Sequence, residues 1–253
     1  MSSRPPRIVG LIPARSGSSR VADKNIRALE GHPLIAYTIT AAIKSGIFDE
    51  VVVSTDSEHY AKIARYYGAQ TPSLRPAEIA GSVSPDIAWV RHTILDLESA
   101  GQQFDCFSIL RPTSPFRQPE TIQRAWKTFL SENGVDSLRA VEKCKQHPAK
   151  MWVVRGSRLL PLLPFGPADQ PWHSSQYQSL PEVYAQNASL EIAWTRLVTE
   201  SGTIAGETII PFFTEEYEGF DINEPEDWER AVTLSRDSRA ILPAVDRPPY
   251  PCT

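Results

Sequence analysis

The sequence predicts an α/β protein whose sheet is mostly parallel. Short apolar runs typical of buried strands alternate with longer segments of helical periodicity through the first half of the 253-residue chain, and such alternation is typical of βαβ units. The alternation breaks down at about residues 141–186, where prolines exclude long regular elements and indicate an inserted arm. The length favours one large domain, so we expect a single domain over residues 1–253 that carries this arm.

Each predicted element follows from its own pattern. Residues 7–12 are a predicted strand whose residues after Arg7 are all apolar or glycine, and residues 33–44 carry apolar side chains at helical spacing. Ser57 is suited to cap the helix that follows it, and Gly68 is suited to end that helix. The further predicted strands are residues 50–54, 104–110, 185–194 and 208–213, and the further predicted helices are residues 57–67, 85–97, 119–131 and 225–235. Ligands of such sheets bind at the carboxyl ends of the parallel strands, where we expect the site.

Composition excludes several classes of protein. The formal net charge is −4 with both signs interspersed, which argues against a nucleic-acid or membrane-surface binder. Three cysteines at wide spacing fit reduced thiols better than a disulfide framework or a zinc site. No apolar run approaches the roughly 20 residues that cross a bilayer, and no secretory segment precedes Arg7. We therefore expect a cytoplasmic protein.

The turn after the first strand is the most informative part of the chain. It reads Pro-Ala-Arg-Ser-Gly-Ser-Ser-Arg over residues 13–20, and Lys24 and Asn25 follow shortly after. The backbone N–H groups of a glycine- and serine-rich turn, together with nearby cations, hold phosphate groups. Neither common phosphate fingerprint, that of P-loops or that of dinucleotide-binding folds, is present. We expect a triphosphate-like ligand here; the alternative is a loop that only turns the chain.

Five segments, in this order along the chain, carry a family resemblance. They are residues 13–18 with Lys24 and Asn25, then residues 53–56, 74–80, 111–117 and 220–227. Together they resemble the sugar-acid cytidylyltransferases, the acylneuraminate cytidylyltransferase or CMP-sialic acid synthetase family. The resemblance implies a three-layer α/β/α, Rossmann-like nucleotidyltransferase fold with a small dimerisation arm, and therefore a homodimer. It also implies a reaction in which the anomeric hydroxyl of a 2-keto sugar acid attacks the α-phosphorus of CTP and releases pyrophosphate.

The resemblance implies roles for the residues of the first turn and the loops near it. Arg15 would contact the β- and γ-phosphates, Lys24 the α-phosphate, and Asn25 and Arg75 the cytosine and its sugar. Arg20 resembles the Ser/Thr-Arg pair of the sister Kdo cytidylyltransferases and would replace a loop lysine. The implied nucleotide-binding residues are Ala14, Arg15, Gly17, Ser18, Ser19, Arg20, Lys24, Asn25, Arg75 and Ser84.

The segment Asp221-Ile222-Asn223 is similar to the Asp-Ile-Asp magnesium motif of the family. In that motif, alternate residues of a strand point the same way and hold the metal jointly. The resemblance thus implies Mg²⁺ as cofactor, held by Asp221 and Asn223, although Asn223 offers a carbonyl oxygen where the family has a second charge. Arg15, Lys24 and Asp221 form the implied catalytic set.

The sugar site is also implied by the resemblance. Its residues would be Arg111, Thr113, Ser114, Gln178 and Asn187. Arg111 stands where the family has Gln and would pair with the substrate carboxylate; the alternative is a solvated arginine. Tyr177 replaces a family arginine, so a related acid is favoured over sialic acid itself.

Three alternative functions stay open at the level of sequence. One keeps the fold but uses another NTP or a sugar phosphate. The second is a nucleotide-sugar glycosyltransferase, which should carry an Asp-x-Asp motif near mid-chain that this sequence lacks. The third is a noncatalytic sugar-nucleotide sensor, favoured by Asn223 and Tyr177.

Overall fold

The computed structural model describes residues 4–18 and 20–251. The chain divides into two units, the larger made of residues 1–140 and 187–253 and the smaller of residues 141–186. The smaller unit spans the segment in which the sequence predicts an inserted arm. It contains a hairpin of two short strands and two of the single-turn 3-10 helices, at Pro148–Lys150 and Tyr177–Ser179.

The strands and helices alternate along the larger unit. The strands of the chain are β1 Ile8–Pro13, β2 Ala28–Leu29, β3 His32–Pro33, β4 Glu50–Ser54, β5 Cys106–Ile109, β6 Ser137–Lys143, β7 Trp152–Arg155, β8 Arg158–Pro161, β9 Tyr184–Trp194 and β10 Ile209–Phe213. The helices are α1 Leu34–Ser45, α2 Glu58–Tyr66, α3 Asp86–Ser99, α4 Pro119–Ser131, α5 Arg196–Thr199 and α6 Pro225–Arg236. None of these described helices combines the length and the apolarity that a membrane span needs.

Six strands form one sheet in the order β10-β6-β9-β5-β1-β4. The strand β1 pairs in parallel with both β4 and β5, and β9 is antiparallel to β5. The strand β1, which lies between β5 and β4, is almost entirely buried, which explains its uninterrupted apolar sequence, because a parallel strand covered on both faces has no polar side. The predicted α/β fold is confirmed.

Helices cover both faces of this sheet. On one face Ile8 and Ile12 of β1 pack in a core that includes side chains of α1, α2 and α4. On the other face Val9 and Leu11 pack with side chains of α3 and α5. Successive side chains of a strand point to opposite faces, so one short strand serves both cores. The result is the three-layer arrangement that the resemblance implied.

Most predicted boundaries are within two residues of the structure, and the end signals act as expected. The Oγ of Ser57 accepts the N–H of Tyr60 at the start of α2, and Gly68, two residues after the last residue of α2, has a φ of +100°. The sequence prediction missed β6, the four-residue helix α5, the two-residue strands β2 and β3, and the hairpin of β7 and β8. These elements are short or, for β6, run into the proline-rich segment.

Four loops meet at one edge of the sheet. The turns after β1, β4 and β5 follow the carboxyl ends of parallel neighbours, and backbone hydrogen bonds extend the pairing beyond the strands, from Ala14 N to Ser54 O and from Leu110 N to Leu11 O. The loop before α6 joins them through Ile222 N, which donates to Thr113 O over 2.9 Å. This edge is the one at which the sequence places the ligand.

Candidate active site

Arg15 folds back onto the turn after β1 and donates a hydrogen bond to its backbone. The Nη1 of Arg15 donates to the carbonyl oxygen of Gly17 over 3.1 Å, and Gly17 has a φ of +69°, a conformation that favours glycine. Two N–H groups of this turn are already bound within the protein: that of Ala14 donates to Ser54 O over 2.9 Å, and that of Ser16, which the sequence predicts to be open, donates to Asp56 over 2.6 Å. Among the described residues, no protein acceptor engages the N–H groups of Gly17 and Ser18, so these two amides are open to an anion. Ser19 lies outside the described residues.

Lys24 lies between this turn and the loop before α6. Its Nζ donates to the carbonyl oxygen of Ile222 over 2.5 Å. Burial lowers the pKa of Lys24, and the charge of nearby Asp221 offsets part of that decrease. Arg20 forms an exposed ion pair with Glu224 over 2.8 Å. Two predicted cations of the nucleotide loop therefore face the predicted metal loop.

The predicted metal residues have neighbouring side chains. The Nδ2 of Asn223 donates to Oδ2 of Asp221 over 2.6 Å, while Ile222 between them is buried. The segment is a loop and not a strand, so the strand geometry expected for the motif is wrong. The loop is fixed at the start of α6, where the Asp227 carboxylate accepts the N–H groups of Asn223 and Glu224, each over 2.9 Å.

The residues present fit a divalent cation. The Oδ1 of Asp221 is buried and has no hydrogen-bond partner among the described residues, and a buried carboxylate oxygen is costly unless a donor or cation compensates it. The described residues contain no group of three or more His, Cys, Asp or Glu side chains that would hold a metal alone. Mg²⁺ here would need phosphate oxygens and water besides Asp221.

The two predicted nucleoside-binding residues differ in how free they are. Asn25 is buried, and its Nδ2 donates to the carbonyl oxygen of Arg15 over 3.2 Å, so its amide braces the turn. Arg75 is 6% exposed and lies over the Trp89 ring, with its guanidinium bound to Ser54 O and Oγ over 3.0 and 3.2 Å. Burial lowers the pKa of Arg75 to about 10, so it is a cation at neutral pH.

The remaining nucleotide candidate, Ser84, is half-buried in the loop before α3. Its N–H donates to Gly81 O over 3.3 Å. The neighbouring Val83 is 94% exposed, so the side chains of this loop are not packed against the rest of the larger unit at that residue.

Arg111 is neither a free cation nor a solvated side chain. Its Nη2 donates to Oδ2 of Asp86 over 2.6 Å and to Oε1 of Glu191 over 3.1 Å. Glu191 in turn pairs with Arg139, and Oδ1 of Asp86 accepts the indole N–H of Trp89 over 2.7 Å. Burial raises the pKa of Asp86, but the bond and charge of Arg111 outweigh it and hold that pKa below its usual value. The prediction that Arg111 is available to a substrate carboxylate therefore has to be revised.

The other predicted sugar residues each have different surroundings. Thr113 holds the predicted metal loop, because its carbonyl oxygen accepts the N–H of Ile222, and Ser114 is buried with no hydrogen-bond partner for its Oγ among the described residues. Asn187 is half-buried and braces the chain, because its Nδ2 donates to Oγ1 of Thr214 over 2.8 Å and its Oδ1 accepts the N–H of Ser189. Gln178 belongs to the smaller unit, where it is exposed on the single-turn helix Tyr177–Ser179.

Comparison with known proteins identifies the family. The model of a family described as Cytidylyltransferase matches residues 9–151, more than half of the chain. The chain belongs to the cytidylyltransferase family. The matched residues include the turn after β1 and the loops after β4 and β5, so the family membership predicted from the sequence is confirmed.

Relatives of this cytidylyltransferase are named for sugar acids. It is 35% identical over 241 residues to the CMP-N,N'-diacetyllegionaminic acid synthase of Legionella pneumophila, covering 92% of this chain and 99% of the relative. It is 30% identical to an N-acylneuraminate cytidylyltransferase of Escherichia coli, covering 91% of this chain and 52% of the relative. A pseudaminic acid cytidylyltransferase of Campylobacter jejuni is 36% identical over 132 residues, 52% of this chain and 57% of the relative.

Solved structures show the same fold. A CMP:2-keto-3-deoxy-manno-octonic acid synthetase complexed with CTP superposes with a TM-score of 0.66 at 13% identity, covering 92% of this chain and 99% of that one. A 4-diphosphocytidyl-2C-methyl-D-erythritol synthase of Anaerococcus prevotii gives a TM-score of 0.60 at 14% identity, covering 91% and 99%. At these identities the likeness extends to the fold alone.

Sequence reasoning gave no role to several charged residues of this cytidylyltransferase site. Asp56 binds Ser16 of the first turn, and Glu191 and Arg139 complete the network around Arg111. The signal for Asp56 was its position two residues after the end of β4, the parallel neighbour of β1. Glu191 and Arg139 lie inside β9 and β6, where no local motif marks them, and only the order of the strands in the sheet brings them together.

Proposed function

We propose that this cytidylyltransferase couples CTP to the anomeric hydroxyl of a 2-keto sugar acid, giving a CMP-sugar and pyrophosphate. The observation that supports it most is the convergence of three groups on one edge of the sheet. The turn that holds Arg15 has open amides, Lys24 faces the loop of Asp221, and Asp221 keeps a buried oxygen without a partner. This arrangement suits a nucleoside triphosphate with a divalent cation.

The chemistry needs charge stabilisation and positioning, and no covalent nucleophile. When the sugar hydroxyl attacks the α-phosphorus, negative charge grows on the phosphate oxygens and on the departing pyrophosphate. Lys24 would hold the α-phosphate and Arg15 the β- and γ-phosphates, so each cation neutralises charge where it appears. Asp221, with Asn223 beside it, would hold Mg²⁺, which when bound supplies further positive charge to the phosphates.

The substrate class rests on the relatives. The relative that this chain matches over 99% of its length is named for N,N'-diacetyllegionaminic acid, so nine-carbon acids of that kind are the first to test. The ion-paired state of Arg111 also distinguishes this sugar-side turn from the Gln-containing turn that the resemblance describes. Asp86 and Glu191 place two carboxylates beside Arg111, and carboxylate oxygens would suit the hydroxyl and acylamino donors of a substrate.

Pyrophosphate release measures this activity directly. The purified protein would be incubated with Mg²⁺, one of four NTPs, and a panel of legionaminic, pseudaminic, acylneuraminic and Kdo-type acids. We expect release that requires both CTP and a sugar acid. Release only with GTP or UTP, or only with a sugar phosphate, would refute the proposal in favour of another nucleotidyltransferase. Binding of CMP-sugar without any turnover would favour the sensor.

We also propose a homodimer that forms through the smaller unit. Within that unit the side chains of Trp152, Val154, Leu159, Phe165 and Tyr177 are between 41% and 69% exposed, and exposed apolar side chains of this kind favour a protein interface. Light scattering after size exclusion would test it: Val154→Glu and Leu159→Glu together should shift a dimer to a monomer. A cytoplasmic location, where CTP is available, also stays a prediction.

A further inference from the structure

Asp56 is attached twice to the phosphate turn. Its Oδ1 accepts the backbone N–H of Ser16 over 2.6 Å, and its Oδ2 accepts the hydroxyl of Ser16 over 2.7 Å. The sheet brings the two residues together: Pro13 of β1 lies opposite Ser54 of β4, and each chain continues two or three residues beyond that pair. Both oxygens of the carboxylate are therefore committed to one serine of the turn.

The charge of Asp56 opposes the ligand that the turn is built to bind. Burial raises the pKa of Asp56, but the two hydrogen bonds from Ser16 and the charge of Arg75 outweigh that effect and keep the pKa below its usual value. The group is thus a carboxylate at neutral pH, close to a site for polyphosphate. A negative group in that place weakens phosphate binding by repulsion, so its contribution has to lie in geometry.

We propose that Asp56 is a positioning residue of the nucleotide site, which acts by fixing Ser16. Ser16 is the residue between Arg15 and Gly17, so its orientation sets the direction of the Arg15 side chain and of the amides of Gly17 and Ser18. With Ser16 held at both its N–H and its hydroxyl, the turn is preorganised for phosphate before the nucleotide arrives. This inference rests on the proposed function, because it concerns the same site.

The position of Arg75 does not depend on a hydrogen bond to Asp56. Its guanidinium is bound to Ser54 through Nε and Nη2 and is packed over Trp89, so Arg75 keeps its position without a hydrogen bond to Asp56. Loss of the Asp56 side chain should therefore disturb the phosphate end of the site and spare its nucleoside end.

The chain offers a matched control at the opposite end of β1. The Asp49 carboxylate accepts the backbone N–H of Ile8 over 2.9 Å and Nε of Arg7 over 3.1 Å. It fixes the start of the same strand by the same kind of contact, at the edge of the sheet away from the nucleotide turn. A purely structural effect of losing such a carboxylate is measured by Asp49→Ala.

The experiment compares Asp56→Ala, Asp56→Asn and Asp49→Ala with the wild-type protein. The readouts are kcat, the KM for CTP and for the sugar acid, and inhibition constants for pyrophosphate and for cytidine. We expect Asp56→Ala to raise the KM for CTP and the inhibition constant of pyrophosphate about tenfold, the loss expected for hydrogen bonds to a charged acceptor. The KM for the sugar acid and the inhibition constant of cytidine should change less than about twofold.

The conservative variant adds a readout that a structural role would not move. In Asp56→Asn the amide oxygen still accepts one hydrogen bond from Ser16 and its NH₂ group can donate to the hydroxyl, while the repulsive charge is gone. The KM for CTP should therefore return to within about threefold of wild type. Asp49→Ala should lower the melting temperature and leave that KM unchanged.

Three results would overturn the inference: an unchanged KM for CTP in Asp56→Ala, an equal weakening of cytidine, or the same effect from Asp49→Ala. Failure of the proposed function looks different, because the wild-type protein itself would not release pyrophosphate from CTP. In that case calorimetric titration of wild type and Asp56→Ala with pyrophosphate still decides whether Asp56 prepares the turn, and equal affinities would reject it.

Discussion

Replacing Arg111 by glutamine tests whether this residue belongs to the protein's own charge network or to the substrate. The variant Arg111→Gln removes the cation that joins Asp86 and Glu191 and introduces the residue that the resemblance places there. Glu191 retains Arg139, and Asp86 retains the indole of Trp89. Both carboxylates thus keep one partner, which limits the damage.

The expected loss of stability follows from the contacts. Arg111 donates to Asp86 over 2.6 Å and to Glu191 over 3.1 Å, and hydrogen bonds to charged groups contribute about 1.5–3 kcal/mol each when they are buried. The side chains of Arg111 and Asp86 are 28% and 32% exposed, so solvent screens part of this. We expect the free energy of unfolding to fall by about 2 kcal/mol and the melting temperature by roughly 4–8 °C.

The stabilisation that Arg111 provides should depend on pH through the titration of Asp86. The pKa of Asp86 is lower in the folded protein than its ordinary value of 3.8, so the stabilisation is complete above that value and is lost as the pH falls through the folded pKa. The difference between wild type and Arg111→Gln should therefore be full at pH 7 and shrink only below about pH 4.

Urea unfolding at pH 7, followed by tryptophan fluorescence, measures the difference, with Arg236→Gln as control. Arg236 pairs with Glu30 but is 70% exposed, so its replacement should cost less than about 0.5 kcal/mol. The reasoning is refuted if Arg111→Gln unfolds like wild type while its KM for the sugar acid rises more than about tenfold, because Arg111 would then be a ligand of the substrate.

Three further predictions concern single side chains. Asp221→Ala should reduce turnover at saturating Mg²⁺ by about 100-fold or more, and full activity of this variant would exclude Asp221 as a metal ligand. Asn223→Asp, which adds a second carboxylate, should lower the Mg²⁺ concentration needed for half-maximal activity. Lys24→Met should lower kcat about 100-fold. Because burial lowers the pKa of Lys24 below its ordinary value of 10.5, the activity of the wild-type protein should begin to decline with rising pH before pH 10.5 is reached. Lys24→Arg should move this decline to higher pH, and a flat profile of activity at alkaline pH would contradict the role of Lys24. Cys106 is buried, and burial raises the pKa of its thiol. A thiol reagent added to the native protein should therefore modify the half-buried Cys144 well before Cys106, as mass spectrometry would show. Modification of Cys106 first would contradict its burial.

Sequence alone was sufficient where local signals and a motif agreed. The apolar run of β1, the Ser57 cap and the helix at Pro119–Ser131 are specified by neighbouring residues, and the structure has them as predicted. The turn after β1 could be predicted as a candidate phosphate site because glycine, serine and cations lie within a few positions of one another. Such features need no information about distant parts of the chain.

Pairing between distant residues was beyond the sequence prediction. Arg111 looked available because Asp86 and Glu191 are 25 and 80 residues away, and only the order of β5, β9 and β6 brings Glu191 and Arg139 to it. The same applies to Asn25, whose amide nitrogen donates to Arg15 O, a contact that the sequence did not indicate. Residue type shows what a side chain can bind, but competition among partners is decided by the fold.

The path of the chain into and out of the smaller unit has a consequence for how such proteins diversify. The chain leaves the larger unit along β6 and returns along β9, and these strands are hydrogen-bonded neighbours. The two ends that any intervening segment must join are therefore held side by side, so closure entropy changes only slowly with the length of that segment. Replacement or lengthening of residues 141–186 changes none of the residues of β1, β4 or the loop before α6, so this stretch can vary in sequence and length while the turns at that edge of the sheet keep theirs.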